Sequence, residues 1–139
     1  MGGWGSAVRI RSPRFLVISL TSVLSPEVEI GWKMRIHIIR KKVTADEIKD
    51  MLEALNSYIK LAVDIKRKVV VGGGILHADC ETVLLDDGSK QEDIWGADWY
   101  PDTNEIRCEA LINIRPRQNN RSMKIEDKKI RLKVEKIKP

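Results

Sequence analysis

His77, Asp79 and Glu81 stand at i, i+2 and i+4 within the stretch 75–85. On a strand that spacing turns all three toward one face. A histidine among carboxylates can take up and release a proton while a carboxylate orients its ring, which is general acid–base chemistry. Histidine with carboxylates is also an acceptable donor set for a divalent ion. Every exposed strand offers three such positions, however, so no metal and no cofactor is expected from spacing alone. Cys80 lies at the opposite parity to His77, so the pair does not suggest a thiolate beside its base. Cys80 and Cys108 are expected on the apolar face as buried, structural residues. The sequence contains no HExxH, CxxC or nucleophile-elbow pattern.

The elements that must position these residues follow from hydrophobic period. Residues 34–40 alternate as a strand, with Ile36 and Ile38 on one face. Thr44 and Glu47 form an S/T-x-x-E capping box, with Val43 and Ile48 placed as a hydrophobic staple. Ile48, Met51, Leu52 and Leu55 then recur at i, i+3, i+4 and i+7, which predicts an amphipathic helix over 44–57. Residues 58–68 alternate as a half-buried strand that residues 69–71 could extend. The triple glycine 72–74 lacks the phosphate-loop pattern and suits a turn or bulge between strands. Residues 75–85 form the next strand, ended by the turn chemistry of Asp86-Asp87-Gly88-Ser89.

Residues 94–114 are expected to be a hairpin turning through Pro101–Asn104. Pairing Tyr100 with Glu105 sets Trp99 against Ile106 and Asp98 against Arg107, so apolar meets apolar and acid meets base. Trp95 and Trp99 then share the core face with Cys108. Glu126 or Asp127 opens a last helix with the stripe Ile130, Val134, Ile137 and a lysine-rich end. The expected architecture is α+β: an antiparallel sheet of about five strands, two helices on one face, in the order β-α-β-β-β-β-α.

Two helices on one face leave the other open. The alternation assigns it Asp64, His77, Asp79, Glu81, Asp98, Arg107, Glu109, Asn113 and Arg115, a mixed-charge surface that can offer a small polar ligand both donors and acceptors. Arg115, Arg117 and Arg121, among Gln118, Asn119 and Asn120, form a basic loop suited to phosphates.

The chain has 139 residues, 42% hydrophobic and 32% charged, and a net charge of +5. Only part of that charge belongs to residues 34–139, so the domain is mildly basic and nucleic acid is a possible but not a favoured partner. Two cysteines are too few for a disulfide scaffold, and no stretch is long and apolar enough to span a membrane. A cytoplasmic location is expected. Residues 1–33 differ in character. Arg9, Arg11 and Arg14 precede the apolar run 15–24, as in a secretory signal, but the small-x-small cleavage site is missing. A buried strand is a second possibility. The preferred reading is a non-native upstream extension, disordered or arising from a misplaced start before Met34, because Val8-Arg9-Ile10 can be encoded by a transfer-RNA T-loop sequence. Residues 34–139 are then the single domain.

The segments Leu76-His-Ala-Asp79, Gly88 to Gly96, Asn113-Ile-Arg-Pro116 and Asn120-Arg-Ser122 resemble an uncharacterised prokaryotic family of unknown function, number 5674. The resemblance runs from about Met34 to near the C-terminus. It implies that His77, Asp79, Gln91, Asn113, Arg115 and Arg121 are family features, and it brings no activity or ligand. The candidate ligand-binding set is therefore His77, Asp79, Gln91, Asp98, Arg107, Asn113, Arg115 and Arg121. The expected function is a binding or regulatory module holding a polar or anionic ligand on the open sheet face. The alternatives are a nucleic-acid or ribosome-associated module using loop 115–121 and the last helix's lysines, and a hydrolase with His77 as general base and Asp79 or Glu81 as its partner.

Overall fold

A computed structural model describes residues 35–139; the readings made for residues 1–33, and the start of the first strand, lie outside the described residues. The elements are β1 (His37–Ile39), α1 (Ala45–Leu52), β2 (Ile59–Asp64), β3 (Val69–Gly74), α2 (His77–Asp86), β4 (Ile94–Tyr100), β5 (Glu105–Arg107) and α3 (Lys128–Ile137), with short 3-10 turns at Gln91–Asp93, Leu111–Asn113 and Pro116–Gln118. The strands form one antiparallel sheet in the order β1-β3-β2-β4-β5. The class is α+β, with three helices among the described residues.

Local chemistry accounts for most elements. Thr44 accepts from the Glu47 N–H and Glu47 accepts from the Thr44 N–H, so the capping box opens α1. Asp127 accepts from the N–H groups of Lys129 and Ile130 and opens α3. β2 and β3 are joined by a tight turn closed by the Lys68 N–H on the Asp64 carbonyl. In the β4–β5 hairpin Asp98 faces Arg107, Trp99 faces Ile106 and Tyr100 faces Glu105, the register expected from cross-strand complementarity.

The sheet buries both faces. Ile39, Ile59, Leu61, Val63, Val70, Trp95 and Trp99 pack with Met51 of α1 and Val134 of α3. Ala62, Val69, Val71 and Ile94 pack on the other side with Cys80 and Leu84 of α2. Three expectations are thereby corrected. Residues 75–85 are not a strand: the Leu76 N–H is capped by Asp79 Oδ2 at 3.1 Å, and His77, Cys80 and Leu84 are the buried positions of a helix. The face expected to be open is therefore largely covered by α2, and the order becomes β-α-β-β-α-β-β-α. Cys80 and Cys108 lie on opposite sides of the sheet, not on a shared apolar face.

The expected strand 105–114 ends at Arg107, because the chain then crosses close over β4. A Cβ on Gly96 would stand 2.5 Å from Ala110 Cβ, so only glycine permits the crossing. The triple glycine is the end of β3 rather than a connecting turn. Gly73, at φ +101°, sits at a register shift against β2, in a conformation that favours glycine.

Candidate functional site

His77 is the first residue of α2, and packing of Cys80 and Leu84 sets its ring against β4. Its Nε2 lies 2.9 Å from Asp98 Oδ1 and 3.1 Å from the Ala97 carbonyl. Both partners accept, so the neutral ring carries its proton on Nε2, and Nδ1 is left as an acceptor. Nδ1 makes no hydrogen bond with the described residues. The ring keeps 9% of its surface exposed and the Asp98 side chain 19%. The carboxylate thus fixes both tautomer and orientation, the service an orienting acid gives a working histidine.

Asp98 is also the centre of a cross-strand row, with Lys60 of β2 on one side and Arg107 of β5 on the other. Beyond it Tyr58 and Tyr100 stack with centroids 5.4 Å apart. Lys60 Nζ lies 5.8 Å from the Tyr58 ring centroid and the Arg107 guanidinium 4.8 Å from that of Tyr100. Arg107 bonds Glu105 rather than the Asp98 that faces it. Those bonds and the Glu105 charge raise its pKa, with smaller contributions from Tyr100 and Asp98. The end of the sheet face beyond α2 therefore presents one oriented histidine, two carboxylates, Asp98 and Glu105, and two cations, Lys60 and Arg107, the second already paired to Glu105.

The other expected site residues are elsewhere or otherwise engaged. Asp79 caps α2 instead of sharing a face with His77. Asn113 is fully buried: its Oδ1 accepts from the Gly96 N–H at 2.7 Å, and its Nδ2 donates to the carbonyls of Gly96 and Met123, each at 3.0 Å. β5 has ended by this level of β4, and the carboxamide supplies the partners a neighbouring strand would have given. Arg115 is a strut. Its guanidinium donates to the carbonyls of Ile112 and Gln91 and to Glu81 at 3.2 Å, and lies 5.0 Å from the Trp95 ring centroid. Burial lowers its pKa and the Glu81 charge opposes the shift. Gln91, Glu81 and Arg115 line a cleft of about 520 Å³ whose rim includes Leu111 and Ile114, both exposed. Arg121 contributes its backbone N–H to Glu126. The structure brings together His77, Asp98 and Arg107 but leaves Asp79, Gln91, Asn113, Arg115 and Arg121 outside that group.

Lys60 and Tyr100 were absent from the candidate set, although Lys60 shares its strand parity with Asp64 and the hairpin register placed Tyr100 beside Glu105. Burial pushes the Cys80 thiol up to about 12 and that of Cys108 to about 11, so neither is a ready nucleophile. Among the described residues no group of three His, Cys, Asp or Glu side chains could hold a metal ion, and no helix is long and apolar enough to cross a membrane.

The fold and this polar row define an antiparallel α+β domain with a histidine–carboxylate pair at the rim of its sheet. Residues 37–138 match the family described as protein of unknown function (DUF5674), and the chain belongs to that family. No curated protein and no solved structure matches it.

Proposed function

We propose that this protein is a small ligand-binding or regulatory module that holds a polar or anionic small molecule at the uncovered end of the sheet face, against His77, Lys60 and Arg107. The observation that carries the reading is the tethering of His77 Nε2 by Asp98 and the Ala97 carbonyl, which orients the ring and leaves Nδ1 as the nitrogen without a partner among the described residues. An acceptor at Nδ1 beside the cations Lys60 and Arg107 suits a ligand that carries a hydrogen-bond donor together with an anionic group. The loop 115–121 is less suited to nucleic acid than its composition suggests, because Arg115 is turned inward.

The test follows the His77 ring nitrogens by NMR during titration with inorganic phosphate, citrate and a nucleoside monophosphate. A saturable shift at Nδ1, weakened in Arg107→Gln, is expected. Absence of any shift at millimolar concentrations of all three would remove the proposal. A hydrolytic role is favoured by the same pair, with Asp98 in the part that spacing had offered to Asp79 or Glu81. Its mark is a bell-shaped pH–rate profile that disappears in His77→Ala.

A further inference from the structure

Three segments distant in sequence converge on a second cleft, of about 440 Å³, lined by Arg40, Lys41, Lys42, Lys68, Lys136 and Lys138. The register explains the meeting. Ile39 pairs with Val70, so the chain after β1 runs beside the turn that precedes β3, and the C-terminal end of α3 closes the third side. Ile39, Ile137 and Pro139 complete the lining, and no aspartate or glutamate side chain is part of it. Asp87, nearby, is occupied by Arg40 at 2.6 Å and Arg67 at 2.7 Å. Lys138 donates to the Asn104 carbonyl. Lys41, Lys42, Lys68 and Lys136 form no ion pair with the described residues.

We propose that this cleft is a binding site for a ligand carrying two or more phosphate groups, either a free oligophosphate or the backbone of a nucleic acid. Like charges held together repel, and a multivalent anion relieves that repulsion while releasing bound counterions. The turn carrying Lys68 is built rather than loose. The Asp64 carboxylate is fully buried, and its Oδ1 accepts from the N–H groups of Lys66 and Arg67, both at 2.9 Å. Lys68 itself stands at φ +59°, the left-handed position of a hairpin turn where glycine or asparagine is the usual occupant. A lysine lining a basic cleft at a backbone position that disfavours it brings charge there at a conformational cost that glycine or asparagine would avoid. No aromatic side chain lines the cleft, so it offers bases no stacking surface and recognition is of phosphate alone. The site shares no residue with the His77 row and stands independently of the function proposed for it.

The experiment measures binding of inorganic tripolyphosphate and of a short single-stranded RNA to the full chain across a salt series. Both are expected to bind. Lys68→Asn should weaken binding several-fold and reduce the steepness of log K against log salt for the RNA by about 0.7. Its thermal midpoint should equal or exceed that of the wild type, since asparagine suits the turn. Lys136→Gln should act in the same direction. Lys129→Gln and Lys133→Gln, exposed on α3 outside the cleft, should leave affinity unchanged. RNA bound far more tightly than tripolyphosphate identifies a nucleic-acid backbone as the source; comparable affinities identify a free oligophosphate. The proposal is overturned if neither probe binds at physiological ionic strength, or if the outer lysines cost as much as those of the cleft.

Discussion

Asn113 offers the sharpest test of how the segment after β5 is held. Its carboxamide is fully buried and takes the place of a missing strand, accepting from the Gly96 N–H and donating to two carbonyls. Asn113→Ala leaves the Gly96 N–H without its partner, at about 1–3 kcal/mol, and deprives two carbonyls of a donor. With the small cavity added, the loss should be about 3–5 kcal/mol. Asn113→Asp separates the two halves of the interaction. The acceptor for Gly96 survives, but an ionised oxygen now faces two carbonyls, whereas the protonated acid can donate to one of them. The folded-state pKa of the new acid is therefore raised above the ordinary value of about 3.9. Between the two pKa values the folded state binds more protons than the unfolded, so stability is greatest below the unfolded value and falls as pH rises through the folded one. The assay is urea denaturation of this variant and the wild type from acid to neutral pH, read as the difference in midpoint at each pH. If that difference widens on acidification, or is absent at neutral pH, the carboxamide is not the partner of Gly96 and the reasoning fails.

Trp99→Ala should cost about 3–5 kcal/mol in chemical denaturation, as a buried large-to-small change in the larger core cluster. Burial alone would push the Asp87 carboxyl up, but hydrogen bonds from Arg67 and Arg40, with their charges, hold it below the usual carboxylate range. Its contribution is therefore complete above the unfolded value and lost as pH falls through the folded one. The wild type's advantage over Asp87→Asn should be present at neutral pH and vanish in strong acid, the reverse of the Asn113→Asp trend. Cys80, fully buried with its thiol at about 12, should resist a thiol reagent until denaturant is added, and Cys108, half-buried, should react sooner.

What could be read without the tertiary structure was local. The Thr44–Glu47 box, the Asp127 cap and the pairing of Asp98 with Arg107 involve residues close in sequence, whose partners are implied by helical or cross-strand geometry. The same register buried both tryptophans correctly. Residues 75–85 could not be read this way. Leu76, Cys80 and Leu84 are spaced by four, a multiple of the strand period and close to one helical turn, so the apolar pattern suits either element. Packing against Ala62, Val71 and Ile94 decided for the helix. That decision made Asp79 a helix cap, left Glu81 to pair with Arg115, and gave His77 its actual partner, Asp98. Asn113 and Arg115 have the composition of a ligand site, and only the three-dimensional contacts show them spent on the carbonyls and carboxylate of their own chain. The basic cleft was equally hidden. Its lysines come from three separate segments, and charge in a sequence carries no address until the strands and the last helix bring those segments to one place.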